Sequence, residues 1–137
     1  MRRIAIVAGG WAAVVSGAPS TSHAVATGRD PLEAAKAAGA ILLPRSTRTL
    51  PLILAAVPVH LGASLGWALV LDRLGVRSMA RGAAAGLAIA ALDVGIVGPR
   101  FPRVRALPRA PQILDHLVYG AIVGAVLSRA RERDSVP

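Results

Sequence analysis

Four long apolar runs, separated by arginine-bearing segments, constrain this chain more than any other feature. A membrane-spanning helix needs about 20 mostly apolar residues, because each residue adds about 1.5 Å across about 30 Å of hydrocarbon. The runs that reach or approach this length are residues 4–18, 52–71, 82–98 and 110–128. They predict an all-α integral membrane four-helix bundle that occupies residues 1–137 as one transmembrane domain, with residues 129–137 as a polar tail.

Composition excludes other classes of protein for a chain of 137 residues. Apolar side chains make up 54% of it. That is too much for a disordered chain and more than the interior of a soluble domain of this size can hold. The net charge is +9, yet only 3% of residues are aromatic, too few for the stacking surfaces that bind RNA or single-stranded DNA. We therefore expect the arginines to meet the headgroups of the lipid bilayer, and we expect no nucleic-acid partner.

The first apolar run has a second interpretation as a secretory signal peptide within residues 1–26. Two arginines precede the run, and small residues near Ala24 and Ala26 offer a cleavage site. The segment between the run and that site is long, however, and cleavage would leave three spans. We therefore favour a retained first span, whose helix ends near Pro19 because proline cannot continue a helix.

The first long loop carries the signature of a short helix. Asp30 is a favoured N-cap, and Pro31 suits the first helical position. We predict a helix over residues 31–43, which is too short to span a membrane. The alternatives are an interfacial or re-entrant helix and a surface helix packed on the bundle. Within it, Glu33 and Lys36 are spaced to form an ion pair.

The basic residues do not orient the spans. The termini and the loop at residues 72–81 fall on one side of the membrane and carry eight arginines. The other two loops carry seven arginines and one lysine on the opposite side. The two sides therefore carry equal numbers of basic residues, so the positive-inside rule does not predict the membrane orientation.

Three spans carry a GxxxG motif, which lets two helix backbones approach closely. The motifs are formed by Gly62 and Gly66, by Gly82 and Gly86, and by Gly120 and Gly124. Lipid gives apolar helices no hydrophobic reason to associate, so the motifs predict helix packing. They also predict a face for self-association or for a membrane protein partner. The plainer alternative is that a glycine-rich composition produces this spacing by chance.

The second and fourth spans share a pattern that indicates an internal repeat. Residues 60–71 and 116–127 both begin with His-Leu, and both carry small residues four and eight positions after the histidine. Each of these spans follows a span that contains glycine. We therefore predict two parallel two-helix repeats.

The candidate functional site consists of the ionisable residues inside the apolar runs, namely His60, Asp93, Asp115 and His116. Such groups are costly in a membrane and mark functional sites by default. The directions of the spans bring all four towards the side of the two longer loops, which predicts one polar vestibule. A His–Asp pair can carry protons, and two histidines can ligate a metal or haem. The alternative is a structural role, in which each histidine bonds a backbone carbonyl or an aspartate.

Residues 17–44, 58–67 and 107–127 resemble a family of small, uncharacterised four-span bacterial membrane proteins of actinobacterial type. The spans in which glycine follows histidine are also loosely similar to YagU-like inner-membrane proteins. This resemblance implies a multi-pass protein of the bacterial cell membrane. It also implies that the pair of His60 and His116 does not arise by chance. It implies no substrate and no catalytic residue.

The sequence predicts a protein that is not an enzyme. It contains no cysteine, no Gly-x-Ser-x-Gly nucleophile elbow and no His-Glu-x-x-His metalloprotease motif. The expected function is an oligomeric permeation or proton-coupled unit without a cofactor. One alternative is a structural or accessory subunit of a larger membrane complex. Another is a protein that binds a metal or haem through two histidines.

Overall fold

The chain folds into helices of very different length, seen in a computed structural model that describes residues 2–134. Within that range 80% of the residues are helical and no strand forms. The α-helices are α1 (Arg2–Val15), α2 (Ala18–Ala26), α3 (Glu33–Gly39), α4 (Thr49–Arg73), α5 (Met79–Leu92), α6 (Pro102–Arg105) and α7 (Arg109–Asp134). A π-helical turn at Asp93–Val97 and a 3-10 turn at Gly98–Arg100 follow α5 directly.

Four helical segments are long and apolar enough to cross a membrane. They are Arg3–Ala26, Thr49–Arg73, Met79–Arg100 and Arg109–Ala130. The predicted all-α, four-span class is confirmed, and the chain is a multi-pass membrane protein. The last helix continues to Asp134, so part of the predicted polar tail is helical, while residues 135–137 lie outside the described residues.

The first span is built from two helices with a tight break between them. The bonding pattern of α1 ends where the Ser16 N–H donates to Ala12 O at 2.9 Å. Pro19 then stands in the first turn of α2, where its missing N–H is not needed. A second helix thus follows the helix that was predicted over residues 4–18, and it carries the span on to Ala26.

Helix α7 lies at the centre of the molecule. It packs against α5 on one side and against α1 and α2 on the other, and α4 packs against α1 and α3. Helices α4 and α5 therefore lie at opposite edges. Only 17% of the most apolar window of α4 is buried, against 33% in each of the other three spans. Most of the α4 surface is consequently left for lipid or for another protein.

Glycines bring α5 and α7 into direct backbone contact. A Cβ atom added to Gly82 would clash with Gly120 O, and one added to Gly120 would clash with Gly82 O. Gly86 and Gly124 are blocked in the same way by the backbone of the facing helix. The GxxxG motifs of the third and fourth spans therefore pack against each other, as small-residue motifs do in membranes.

Helices α1 and α4 meet through a similar set of small residues. A Cβ atom on Gly9 would lie 2.9 Å from Ala68 Cβ and 3.0 Å from Ser64 O. Ser64 and Ala68 stand four and eight positions after a histidine, as do the two packed glycines of α7. The two helix pairs, α1 with α4 and α5 with α7, thus use the same pattern of small residues.

The GxxxG motif of the second span, formed by Gly62 and Gly66 in α4, packs against nothing within the described chain. A Cβ atom on Gly62 or on Gly66 would meet no heavy atom within 4 Å. These glycines precede Ser64 and Ala68 by two residues, which is about 200° around a helix with 3.6 residues per turn. They face away from α1 for that reason, and their predicted role in self-association stays a prediction.

The loop helix differs from the predicted helix in its bounds. Helix α3 covers Glu33–Gly39 instead of residues 31–43, and Asp30 Oδ1 accepts from the Leu32 N–H in the turn before it. At its end, Gly39 lies against the backbone of Leu52 in α4 so closely that a Cβ atom would clash. Helix α3 is therefore a short helix packed on the bundle.

The ion pairs of this loop also differ from the predicted one. Arg29 Nε lies 2.9 Å from Glu33 Oε1, and Lys36 pairs with Asp30 instead of Glu33. Because α3 begins only at Glu33, the preceding turn brings Arg29 and Asp30 over its first residues. The hydrogen bond from Lys36 lowers the pKa of Asp30, and the hydrogen bond to Glu33 raises the pKa of Arg29.

A well-bonded turn joins α4 to α5. Gly75 has a φ of +70°, its N–H donates to Asp72 O at 3.2 Å, and the Val76 N–H donates to Leu71 O at 3.0 Å. These bonds form a Schellman motif, whose left-handed position favours glycine. Arg77 forms an ion pair with the Asp72 carboxylate at 2.8 Å and also donates to Asp72 O at 3.0 Å, which helps to satisfy the carbonyls at the end of α4.

Replacing Gly120 by alanine is expected to destabilise the protein. The added methyl group meets Gly82 O and forces α5 away from α7, which costs about 1–3 kcal/mol. The matched control is Gly62→Ala, where the methyl group enters open space and alanine favours the helix by up to about 1 kcal/mol. Reversible unfolding in detergent measures both variants. Equal destabilisation would contradict the described packing of α5 on α7.

Candidate functional site

The ionisable residues inside the spans lie on one side of the molecule. His116 stands seven residues after the start of α7, and Asp93 stands seven residues before the end of the third span. At about 1.5 Å per residue, both lie about 10 Å from the ends of their spans. His60 lies deeper, eleven residues after the start of α4. All these span ends are on the side of the two longer loops.

His116 joins α7 to the π-helical turn that follows α5. Its Nε2 lies 3.2 Å from Asp93 Oδ2, and its Nδ1 lies 2.7 Å from the carbonyl oxygen of Gln112, one turn earlier in α7. A carbonyl oxygen only accepts, so the hydrogen bond to Gln112 requires a hydrogen on Nδ1. An ionised carboxylate also only accepts, so the contact with Asp93 requires one further proton.

The His116–Asp93 pair is therefore a site for one exchangeable proton. With the proton on His116, the pair is an imidazolium and a carboxylate. With it on Asp93, the pair is a neutral imidazole and a carboxylic acid. Removal of the proton leaves two acceptors facing each other and abolishes the hydrogen bond. The side chains of His116 and Asp93 are 24% and 34% exposed on the surface of the protein.

A local change of helix type places Asp93 at this site. The Gly98 N–H donates to Asp93 O, five residues back, which is the bond of a π-helix. Pro99 has no N–H to continue the helix, and the chain passes into the 3-10 turn. Single π-helical turns inside α-helices are frequent at functional sites.

Asp115 completes the beginning of α2 from another span. Its Oδ1 accepts from the Ser20 N–H at 3.0 Å, and its Oδ2 accepts from the Ser20 hydroxyl. Ser20 is the third residue of α2, and N–H groups of the first turn have no partner within their own helix. The N-cap residue, Gly17, has no side chain to supply one. A carboxylate is also favoured at the positive end of a helix, so Asp115 acts as an N-cap from α7.

His60 binds the carbonyl group that the break in the first span releases. The last α-helical bond of α1 goes to Ala12 O, so the next carbonyl, that of Ala13, is left over. His60 Nε2 lies 2.8 Å from Ala13 O. Because a carbonyl oxygen only accepts, the proton of a neutral His60 resides on Nε2. His60 therefore links α4 to α1 by satisfying a buried backbone group.

The four residues thus take part in three contacts between spans, and His116 makes one further contact within α7. His60 and His116 do not contact each other, since each has its own partner. Small pockets lie on the polar side of the described residues. A pocket lined by Ser20, His23 and Gln112 among others has a volume of about 10 Å³, which admits about one water molecule.

The ligand chemistry of this side is limited. Within residues 2–134, no group of three or more His, Asp or Glu side chains is arranged to hold a metal ion. Both ring nitrogens of His116 already have partners. A metal or haem bound by His60 and His116 would therefore have to displace at least one of the contacts of His116.

Two contributors to the polar contacts were missed in the sequence. Gln112 supplies the carbonyl that orients His116, and it escaped notice because any residue one turn earlier offers a carbonyl. Tyr119 is buried, and its hydroxyl donates to Ser64 O across the α7–α4 contact. The sequence did indicate a polar contact at Tyr119, because a tyrosine inside a span needs a partner for its hydroxyl.

Comparison of the chain with known protein families, with curated proteins and with solved structures finds no match. The resemblance to small actinobacterial and YagU-like membrane proteins stays a prediction.

Replacing Asp115 by alanine is expected to loosen α2. The change leaves the Ser20 N–H and hydroxyl without their acceptor, which costs about 1–3 kcal/mol. Asp115→Asn is the matched control, because its amide oxygen still accepts from Ser20. Hydrogen exchange of the α2 amides in detergent measures the effect. The capping role is contradicted if both variants exchange as slowly as the original protein.

Proposed function

We propose that this protein is a proton-coupled component of the bacterial cell membrane without enzymatic activity. The His116–Asp93 pair is the proton-binding site. The observation that carries the proposal is the pair of contacts made by His116, with Gln112 O at 2.7 Å and with Asp93 Oδ2 at 3.2 Å. Together they require a proton that the pair can gain and lose.

The chemistry of the pair suits proton transfer at physiological pH. Histidine is the side chain whose ordinary pKa lies closest to neutrality. Chains of Asp, Glu and His inside membranes serve as proton relays in pumps and transporters. Asp115 immediately precedes His116 in the chain, so a further acidic residue neighbours the pair in sequence.

Access to the pair favours coupling over an open pore. Towards the other side of the membrane, α5 and α7 touch through their backbones, and a Cβ atom on Gly86 would already clash with His116 O. In the described residues this glycine contact closes the space between the two helices. A proton that enters from the loop side therefore crosses to the other side only when α5 and α7 separate, and the proton flux through the protein depends on that separation.

The π-helical turn is the part of the chain that the proton would affect most directly. Loss of the proton removes the hydrogen bond between α7 and Asp93, the first residue of that turn. Gly95 within the turn has open space around it, so the backbone there is not held by close packing. We infer that the end of the third span shifts between the two protonation states.

The proposal assigns no bond-making chemistry to the site. Among the described side chains, no serine hydroxyl is hydrogen-bonded to a histidine that could activate it. The hydroxyl of Ser20 is held by the acceptor Asp115 alone. A serine activated by a histidine has therefore no counterpart in these contacts.

A structural or accessory role in a larger membrane complex is the second candidate function. The observation that favours it is the outer face of α4, with its unpacked Gly62 and Gly66 and its exposed Leu54 and Leu61. Self-association would use the same face. Both roles predict a larger species when the protein is purified in mild detergent.

The proton role is tested by measuring proton flux into liposomes that contain the purified protein. An imposed membrane potential drives the flux, and a trapped pH-sensitive dye reports it. His116→Gln is expected to reduce the flux at least tenfold, because glutamine does not titrate. His60→Gln is the matched control, since its amide can still donate to Ala13 O and the flux should persist.

Three outcomes contradict this assignment. Flux that His116→Gln leaves unchanged excludes the pair as the proton site. An original protein that carries no flux, yet co-purifies with a stoichiometric membrane partner, supports the accessory role. A purified protein with visible absorbance or bound metal, lost in both histidine variants, supports the two-histidine cofactor alternative.

A further inference from the structure

The loop side of the molecule carries positive charge that acidic residues do not balance. The two ion pairs found there use Arg29 and Lys36. Within the described residues, the other six cations on this side make no ion pair. They are Arg45, Arg48, Arg100, Arg103, Arg105 and Arg109.

Two of these six arginines are occupied by backbone carbonyls. Arg103 donates to Ser46 O at 2.6 Å, which ties the segment before α7 to the loop before α4. Arg100 donates to Ile96 O in the π-helical turn. Their guanidinium groups therefore have a structural use. The side chains of Arg105 and Arg109 have no hydrogen-bond partner among the described residues, and both residues are exposed.

Arg105 and Arg109 line the same shallow pocket, whose volume of about 10 Å³ admits about one water molecule, so a larger group can bind only at its mouth. The short helix α6 and the first turn of α7 bring them together beside Gln112, and Val94 and Val104 form part of the wall. The pocket lies between the end of the third span and the start of the fourth. That is the level at which hydrocarbon gives way to lipid headgroups. It thus combines two unpaired cations with an apolar wall.

We propose that Arg105 and Arg109 bind the phosphate group of an anionic phospholipid of the phosphatidylglycerol type. Guanidinium groups bind phosphate oxygens through two parallel hydrogen bonds. Basic pockets between transmembrane helices are suited to anionic headgroups. A phosphatidylcholine headgroup adds a cation that two neighbouring arginines repel, so the pocket selects the anionic lipid.

This site is independent of the proposed proton function. Its residues bind lipid whether or not His116 and Asp93 exchange a proton. The two sites are nevertheless adjacent, since Val94 follows Asp93 in the chain and Gln112 contributes its carbonyl to His116.

The experiment measures lipid retention by the purified full chain. The protein is mixed in mild detergent with phosphatidylglycerol or phosphatidylcholine, and native mass spectrometry counts the bound lipids. We expect one retained phosphatidylglycerol and at least tenfold less retained phosphatidylcholine. The double variant Arg105→Gln with Arg109→Gln should lose phosphatidylglycerol at least tenfold.

The matched control is Arg45→Gln with Arg48→Gln. It removes the same charge from the same side, outside the pocket, and should keep retention within twofold. Equal loss in both double variants would overturn the site in favour of general attraction to the basic surface. Displacement of the lipid by millimolar inorganic phosphate would overturn the lipid as the ligand.

Thermal unfolding of the original protein provides a test that needs no variant. Phosphatidylglycerol should raise the unfolding temperature more than phosphatidylcholine does, because a ligand that binds only the folded state stabilises it. Equal unfolding temperatures in the two lipids would overturn the proposal even if the double variant at Arg105 and Arg109 failed to fold.

Discussion

An unpaired backbone N–H or carbonyl costs several kcal/mol in hydrocarbon. Pro58 removes one N–H from the bonding of α4, and larger irregularities occur in the first and third spans. The polar side chains inside the spans lie at these two larger irregularities. His60 accommodates a carbonyl at the break in the first span, and Asp115 accommodates an N–H on the other side of the same break. Asp93 begins the irregular turn of the third span and is held by His116. The polar side chains inside the spans thus lie where the helices are irregular.

The fold class could be predicted from the sequence because the length of an apolar run is set by the thickness of a bilayer. The backbone contact of α5 with α7 was also foreseeable, since each helix carries two glycines four residues apart. These are Gly82 and Gly86 in α5, and Gly120 and Gly124 in α7. The exposed position of Gly62 was not foreseeable. A spacing of four residues identifies one face of a helix, but the neighbour that this face meets depends on how the helices are arranged.

The sequence predicted which residues form the candidate site, but it did not predict which groups these residues contact. Intramembrane His and Asp residues are recognisable because they are costly. Their partners are mostly backbone groups, and every residue possesses those. Ala13 O became a partner only because helix α1 stops one residue too early to use it. The π-helical turn has no distinct residue pattern, so the meeting of Asp93 with His116 required the three-dimensional arrangement.

The central place of α7 has a consequence for the order of assembly in the membrane. Helices α1 and α4 can pair as soon as both have been synthesised, because their contact involves no later span. Helix α5 has no comparable partner among the earlier spans and meets its main neighbour only in α7. During synthesis the third span therefore stays without its main packing partner until the fourth span is made. Helix α7 then packs against both α5 and α1.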